Sequence, residues 1–389
     1  MEKVRYGVIG IGNMGSSHAA YLSQGKIEGA CLTAVCDVNP DRLEWAKSLT
    51  GEVALYSNYK DLLNSGKTDA VIIATPHYFH PIIGMEAFEL GISVLSEKPI
   101  GVYTKKVVDF MDAAKKSGKA FGIMYNQRTI KYYQKMREII QNGELGQLKR
   151  CVWIITDWYR TQAYYNSGGW RATWSGEGGG VLINQCPHNL DLWQWIFGMP
   201  NKIRAFCQFG KYHDIEVEDE VTAYAEYPNG ATGVFITTTG EYPGTNRLEI
   251  SGSKGKLVCE EGKLTYIKLG VDEREFCYGA TGGFSSPPKE IVALECDGSG
   301  NQHQLITQNF TNHILNGEPL IASGCEGING LSISNAMMLS TWKNDWVELP
   351  NDGEEFYAEL QKKIAGSKGK GAVETKIEDL SGTYGNNTK

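Results

Sequence analysis

The sequence predicts an α/β protein: a doubly wound parallel sheet, then an α+β domain built on a mainly antiparallel open sheet. Three observations predict it. Short, continuous apolar runs alternate with helical segments over residues 1–125, the pattern of strands buried on both faces. From Gln147 the runs alternate apolar with polar residues and are joined by tight-turn signals. The length of 389 residues also exceeds what one hydrophobic core usually supports. The expected division is 1–125, 126–365 and a flexible tail at 366–389, poor in apolar groups and rich in Gly, Lys, Asn and Thr.

Taken in order, Val4–Ile9 is an apolar strand, and Gly10-Ile11-Gly12-Asn13-Met14-Gly15 follows at once. Met14–Gln24 reads as a helix with Ala19, Ala20 and Leu22 available to pack on the sheet. Cys31–Cys36 is a second strand, and Asn39-Pro40 starts the next helix, since Asn caps free amides and Pro suits the first helical position. Ala70–Ala74, Ile92–Leu95 and Ala120–Met124 are further strands, with helices near 41–49, 59–64, 78–90 and 104–117 between them. In the second domain the expected strands are Leu148–Trp158, Ile203–Phe209, Val221–Tyr227, Thr232–Thr239, Leu248–Ser251, Lys256–Cys259 and Leu264–Leu269. Gly330–Trp342 and Glu354–Ile364 read as late helices, the second a candidate to pack back on the first domain.

In a doubly wound sheet ligands bind beyond the carboxyl ends of the strands. Four features lie there: the glycine turn, Asp37, Thr75-Pro76 and Glu97-Lys98-Pro99. The glycines permit a tight turn and close backbone approach, and the helix that follows offers amides to a dinucleotide pyrophosphate. Asp37 is the acid expected to grip the adenosine ribose; a helix-initiating surface acid is its other reading. Lys98 puts a cation where the reactive ring of such a cofactor would lie. In the second domain the richest segment is Trp170–Asp191, where Gly178-Gly179-Gly180 leads to Asn184 and His188. These two are four apart, so a helical turn would place them on one face. Of seven histidines His188 is the best candidate base; His18, in the first helix, reads as packing or surface, and His77 and His80 follow a strand end. Trp158, Tyr159, Arg160, Tyr164, Tyr165, Trp170 and Arg171 form a candidate ligand-binding wall, with domain core or oligomer contact as the alternative.

Composition narrows the classes. A net charge of −7 argues against a phosphate-neutralising surface, so no nucleic-acid partner is expected. Nine scattered cysteines without a CxxC pair suit reduced thiols and no metal site. The chain enters a strand at Val4 with no charged-then-apolar leader and holds no run long enough to span a bilayer, so no membrane and a cytoplasmic location are expected.

With GIGNMG at 10–15, TPHYFH at 75–80, EKP at 97–99, GELG at 143–146 and GGGVLINQCPH at 178–188, residues 3–364 resemble the Gfo/Idh/MocA family of sugar and cyclitol oxidoreductases. The resemblance implies a Rossmann domain, an α/β domain whose open sheet builds homodimers or homotetramers, NAD as cofactor and Lys98 with His188 as catalytic pair. The cofactor set expected here is Gly10, Gly12, Asn13, Met14, Asp37, Thr75, Pro76, His80, Glu97, Lys98 and Asn126; Asn184, Tyr159, Arg160 and Trp170 are expected on the substrate. Many members carry Asp where this chain has Asn184, which removes a carboxylate partner from His188 and leaves Asp191 as a candidate replacement. The expected reaction is oxidation of a secondary ring hydroxyl of a sugar, cyclitol or glycoside. A redox-cycling glycoside 3-oxidoreductase or oxidation–elimination enzyme with retained NAD stays open, as does a non-enzymatic sugar or NAD sensor. Zinc-dependent oxidation lacks a Cys/His ligand cluster.

Overall fold

The computed structural model describes residues 2–296 and 300–370. Its first half is a six-stranded parallel sheet flanked by helices. The elements are β1 (Val4–Ile9), α1 (Asn13–Ser23), β2 (Ala30–Cys36), α2 (Pro40–Ala46), β3 (Ala54–Tyr56), α3 (Tyr59–Leu63), β4 (Ala70–Ile73), α4 (Phe79–Glu89), β5 (Ser93–Ser96), α5 (Thr104–Ser117) and β6 (Phe121–Ile123). The strand order β3-β2-β1-β4-β5-β6 reverses direction at β1, leaving a crevice beside it. Registers Ile9↔Cys36, Ile9↔Ile73 and Ile73↔Ser96 align the carboxyl ends, so the glycine turn, Asp37, Thr75 and Glu97 stand along one edge. Asn39 caps α2 as read, accepting from the Asp41 amide. The strand β3 has three residues, all only half-buried, at the edge of the sheet.

The second half continues with a 3-10 turn at Asn126–Thr129, α6 (Lys131–Gln141), β7 (Leu148–Ile155), α7 (Gln162–Asn166), α8 (Pro187–Phe197), β8 (Lys202–Phe209), β9 (Glu218–Glu226), β10 (Thr232–Thr238), β11 (Asn246–Gly252), β12 (Gly255–Glu260) and β13 (Lys263–Leu269). It ends with α9 (Glu273–Gly279), β14 (Lys289–Leu294), α10 (Gln302–Asn316), α11 (Gly327–Lys343), β15 (Val347–Glu348) and α12 (Glu354–Ala365). Among the described residues the sheet has nine strands, ordered β14-β13-β12-β11-β7-β10-β9-β8-β15, antiparallel except for β7 beside β10. Period-two burial, as in β8 and β12, turns one face to the helices. Helix α11 lies on that face, where Ser340 Oγ accepts the Ala205 amide at 3.0 Å.

Two differences from the sequence reading have physical causes. β9 starts at Glu218, not Val221, because Glu218 and Asp219 are buried acids whose oxygens receive main-chain N–H groups of other segments. β7 stops at Ile155, and Trp158 lies beyond the strand in the connection to α7. The late helix α10, which the sequence reading did not mark, packs on the first sheet: Tyr6 and Tyr21 hydroxyls bond Thr311 at 2.8 Å and Thr307 at 2.7 Å. Helix α12 meets the start of α5 through Lys105–Glu354 and the Tyr103–Tyr357 ring contact. Of the expected tail only 366–370 falls within the described residues.

Candidate active site

The glycine turn at the end of β1 is shaped by what it excludes. Gly10 has φ +83°, and a Cβ on Gly15 would fall 1.7 Å from the Gly10 carbonyl oxygen, so α1 can approach the strand only as glycine. Nothing lies within 4 Å of the corresponding point on Gly12, and no side chain caps α1, so its first amides face an open cradle. Asp37 supports the turn directly: its two oxygens accept the Ile11 and Asn39 amides, each at 2.8 Å. Arg42 donates to the Ile11 carbonyl at 2.7 Å and the Gly12 carbonyl at 3.0 Å from below. Thr75 Oγ1 and Asn126 Oδ1, both in the expected cofactor set, are buried polar atoms without a partner among the described residues, while Asn126 Nδ2 donates to Gln302. These donors, acceptors and the open cradle fit a dinucleotide.

After β5, Glu97 is buried between His18 Nε2 at 2.7 Å and the Lys98 amide at 3.1 Å. Burial pushes its carboxyl up, yet the bond and charge of His18 bring it down to about 2. His18, read as packing or surface, is thus a buried partner of this acid. His80 faces the Pro99 and Thr75 carbonyls at 2.7 Å each, so its ring ties the loop after β4 to the loop after β5 and has no nitrogen left for a cofactor. Lys98 leaves this edge and donates its Nζ to the Asn184 main-chain carbonyl at 2.8 Å. Burial lowers its pKa, opposed by Glu97.

Across the cleft the helical face expected for Asn184 and His188 does not form. Pro187, at the first position of α8, has no N–H, and the turns from Val181 to Cys186 remain outside the helix. The Asn184 side chain turns instead to the Glu177 carboxylate. Asp191 does not serve His188 either: its carboxylate grips Arg128 at 2.6 and 2.8 Å. His188 is 3% exposed, neither ring nitrogen has a hydrogen-bond partner among the described residues, and Tyr125 stands edge-on at 6.4 Å. Burial, then the Lys98 charge, holds its pKa well below the ordinary imidazole value.

The candidate wall divides. Trp170 stands edge-on to His77 at 5.4 Å, and Arg171 lies over Trp170 and Tyr164, 4.6 Å from each ring. Arg171 and Arg160 both act on the Lys98 charge. Tyr159 lies apart, 46% exposed against Tyr242.

Residues 4–125 match the model of an oxidoreductase family with an NAD-binding Rossmann fold, and residues 133–258 match that of the GFO/IDH/MocA C-terminal domain. The chain belongs to the Gfo/Idh/MocA family. Its cofactor is accordingly NAD. This Gfo/Idh/MocA chain is 25% identical to a myo-inositol 2-dehydrogenase of Thermotoga maritima over 89% of its own length and 98% of the relative's. It is 29% identical to a D-glucoside 3-dehydrogenase of Escherichia coli over 58% of its own length and 68% of that protein. In structure it is similar to the WlbA dehydrogenase of Bordetella pertussis solved with NADH and UDP-GlcNAcA: TM-score 0.75 and 26% identity, covering 90% of this chain and 99% of that one.

Two site residues of this Gfo/Idh/MocA chain escaped the sequence reading. Glu177 stands directly before the three glycines, and an acid inside that apolar stretch was the available signal. Arg128, 1% exposed, joins Asp191, Glu326 and the Ile321 carbonyl; nothing local in the sequence marks it.

Proposed function

We propose that this protein is an NAD-dependent dehydrogenase that oxidises a secondary ring hydroxyl of a sugar, cyclitol or glycoside, with Lys98 and His188 as its acid–base pair. The observation that carries the reading is His188: a buried imidazole with two unpartnered nitrogens, within electrostatic reach of Lys98. Burial and the Lys98 charge favour the neutral ring, the form that can act as a base. Lys98 stabilises the carbinol oxygen as it becomes negative. Such acid–base help is worth about 10²–10⁴ in rate. NAD supplies the hydride acceptor. The amides after Gly10, with Gly12, Asn13 and Met14, hold the pyrophosphate, Thr75 and Asn126 offer the free polar atoms, and Asp37 faces the ribose. Asp37 repels a 2′-phosphate, and the nearest cation, Arg42, is engaged by carbonyls, so NAD is preferred over NADP. Trp170, Arg171 and Arg160 flank the substrate.

Relatives named as inositol and glucoside dehydrogenases support the substrate class. The test is a panel of sugars, cyclitols and glycosides incubated with NAD and followed by both NADH absorbance and product mass. A mass loss of two hydrogens on a ring carbinol is expected, with NADH released. Failure to oxidise any member of the panel, by a folded protein that binds NAD, would sink the reading.

A further inference from the structure

Glu177 is a buried acid that this chemistry leaves unused. It is 1% exposed, and its position is fixed from several sides. Its amide donates to the Thr173 carbonyl at 2.9 Å, and His77 Nδ1 stands 3.3 Å from its carbonyl. The next residue, Gly178, has φ +81°, and a Cβ there would fall 2.2 Å from Val102. One carboxylate oxygen accepts the Ala172 amide at 2.5 Å, and the other accepts the side-chain amide of Asn184. Asn184 in turn offers its main-chain carbonyl to Lys98 Nζ at 2.8 Å. A continuous hydrogen-bonded path therefore runs from a fixed acid, through one residue held in a turn, to the lysine at the cleft.

We propose that Glu177 is a positioning residue for Lys98: it clamps Asn184 so that the Asn184 carbonyl holds the ammonium in place. The inference rests on the Lys98 chemistry proposed above. Facing the Glu177 carboxyl are Arg171 from its own connection, Tyr165 of α7, Lys98 after β5, Glu218 of β9 and Lys370 near the C-terminus, while His77 after β4 faces its main-chain carbonyl. Burial drives the carboxyl up; Arg171 and the bonds from Ala172 and Asn184 draw it back. On Lys98, burial lowers the pKa, and Glu97 and then Glu177 raise it.

The test reads Lys98 directly. Acetic anhydride labelling of Lys98, quantified by mass spectrometry across pH in the NAD-free and NAD-loaded protein, gives its apparent pKa. Glu177→Gln should lower that pKa by about 0.5–1 unit, move the matching limb of the kcat profile by the same amount and leave NAD affinity unchanged. The exchange Glu177→Gln with Asn184→Asp keeps one carboxylate and one amide in the same bond, and should return the Lys98 pKa to near wild type. An unshifted pKa in folded Glu177→Gln overturns the proposal, as does an exchange variant whose pKa is no nearer wild type than that of the single one. If Glu177→Gln does not fold, the exchange variant decides alone: a wild-type-like Lys98 pKa supports the proposal, whereas a lowered pKa, or loss of folding, overturns it. Full turnover by Lys98→Met would instead remove the acid–base reading itself, a separate result.

Discussion

At the carboxyl edge of the first sheet the backbone itself forms the binding surface, and side chains are mostly kept out of the way. Across the cleft, the connection between α7 and α8 is irregular and is shaped by acids that reach into it. Gly10, Gly12 and Gly15 define the first region by the atoms they lack. Glu177 and Glu218 define the second by the N–H groups they collect: Ala172 for one, Gly180 and Leu182 for the other. The first region thus follows from strand ends and a glycine spacing. The second depends on a few buried acids whose loss leaves main-chain donors unpaired, at a cost of about 1–3 kcal/mol each.

The contrast is sharpest in function. Lys98→Met and His188→Ala should each lower kcat by about 10³-fold while NAD affinity moves less than about threefold. Loss of NAD binding in a folded Lys98→Met protein would mean that the two regions are not separable.

Next in size is a pair of glycine substitutions. A Cβ at Gly15 meets the Gly10 carbonyl at 1.7 Å, and one at Gly180 meets the Glu218 carbonyl at 2.0 Å. Gly15→Ala should weaken NAD binding about tenfold or more, whereas Gly180→Ala should leave NAD binding intact and depress turnover. Calorimetric NAD titration beside steady-state kinetics checks both. Equal loss of NAD affinity in the two variants would contradict the division.

A smaller effect is expected at Asp37, which both supports the glycine turn and sets cofactor choice. Asp37→Ala should reduce the kcat/KM preference for NAD over NADP several-fold, about 1 kcal/mol. An unchanged ratio would confine Asp37 to supporting the turn.

The smallest effect is a pH dependence of stability. Burial raises the Glu218 carboxyl to about 7, so the folded state holds its proton more tightly than the unfolded chain does. That contribution is fully present below about pH 4.5 and is lost as pH rises through about 7, at most about 3 kcal/mol. Glu218→Gln, which keeps an acceptor for Gly180 and Leu182, should remove the slope. Denaturant unfolding of both proteins at pH 4.5 and 7.5 decides it, a constant difference being the contrary result.

The same contrast explains what the sequence made legible. Strands β1, β2, β4, β5 and β6 are continuous apolar runs, and the motifs at their ends stand where the parallel registers require. Lys98 and His188 were legible because each sits beside a strong local pattern. The Asn184–His188 pairing was misread because spacing alone implied a helical turn, while the helix starts only at Pro187, three residues after Asn184. Arg128 and the start of β9 were hidden because their partners lie far along the chain: 63 residues for Arg128 and Asp191, 38 for Gly180 and Glu218. Glu177 bonds Ala172 and Asn184 close by in the chain, but only the folded turns bring those donors to it. Pattern reading assigns acids to the surface, and only the fold supplies the donors that make burial tolerable.

The return of α10 to the first sheet bears on how this protein can be recombined. A chimera joined near residue 125 would carry Tyr6 and Tyr21 from one parent and Thr311 and Thr307 from the other. Two buried phenols would then depend on whatever the foreign helix presents. Gly122 has the same dependence, since a Cβ there would meet Phe310 at 2.9 Å. Engineers who exchange nucleotide-binding halves between relatives should therefore transfer residues 302–316 together with the N-terminal segment, treating the two as one heritable block.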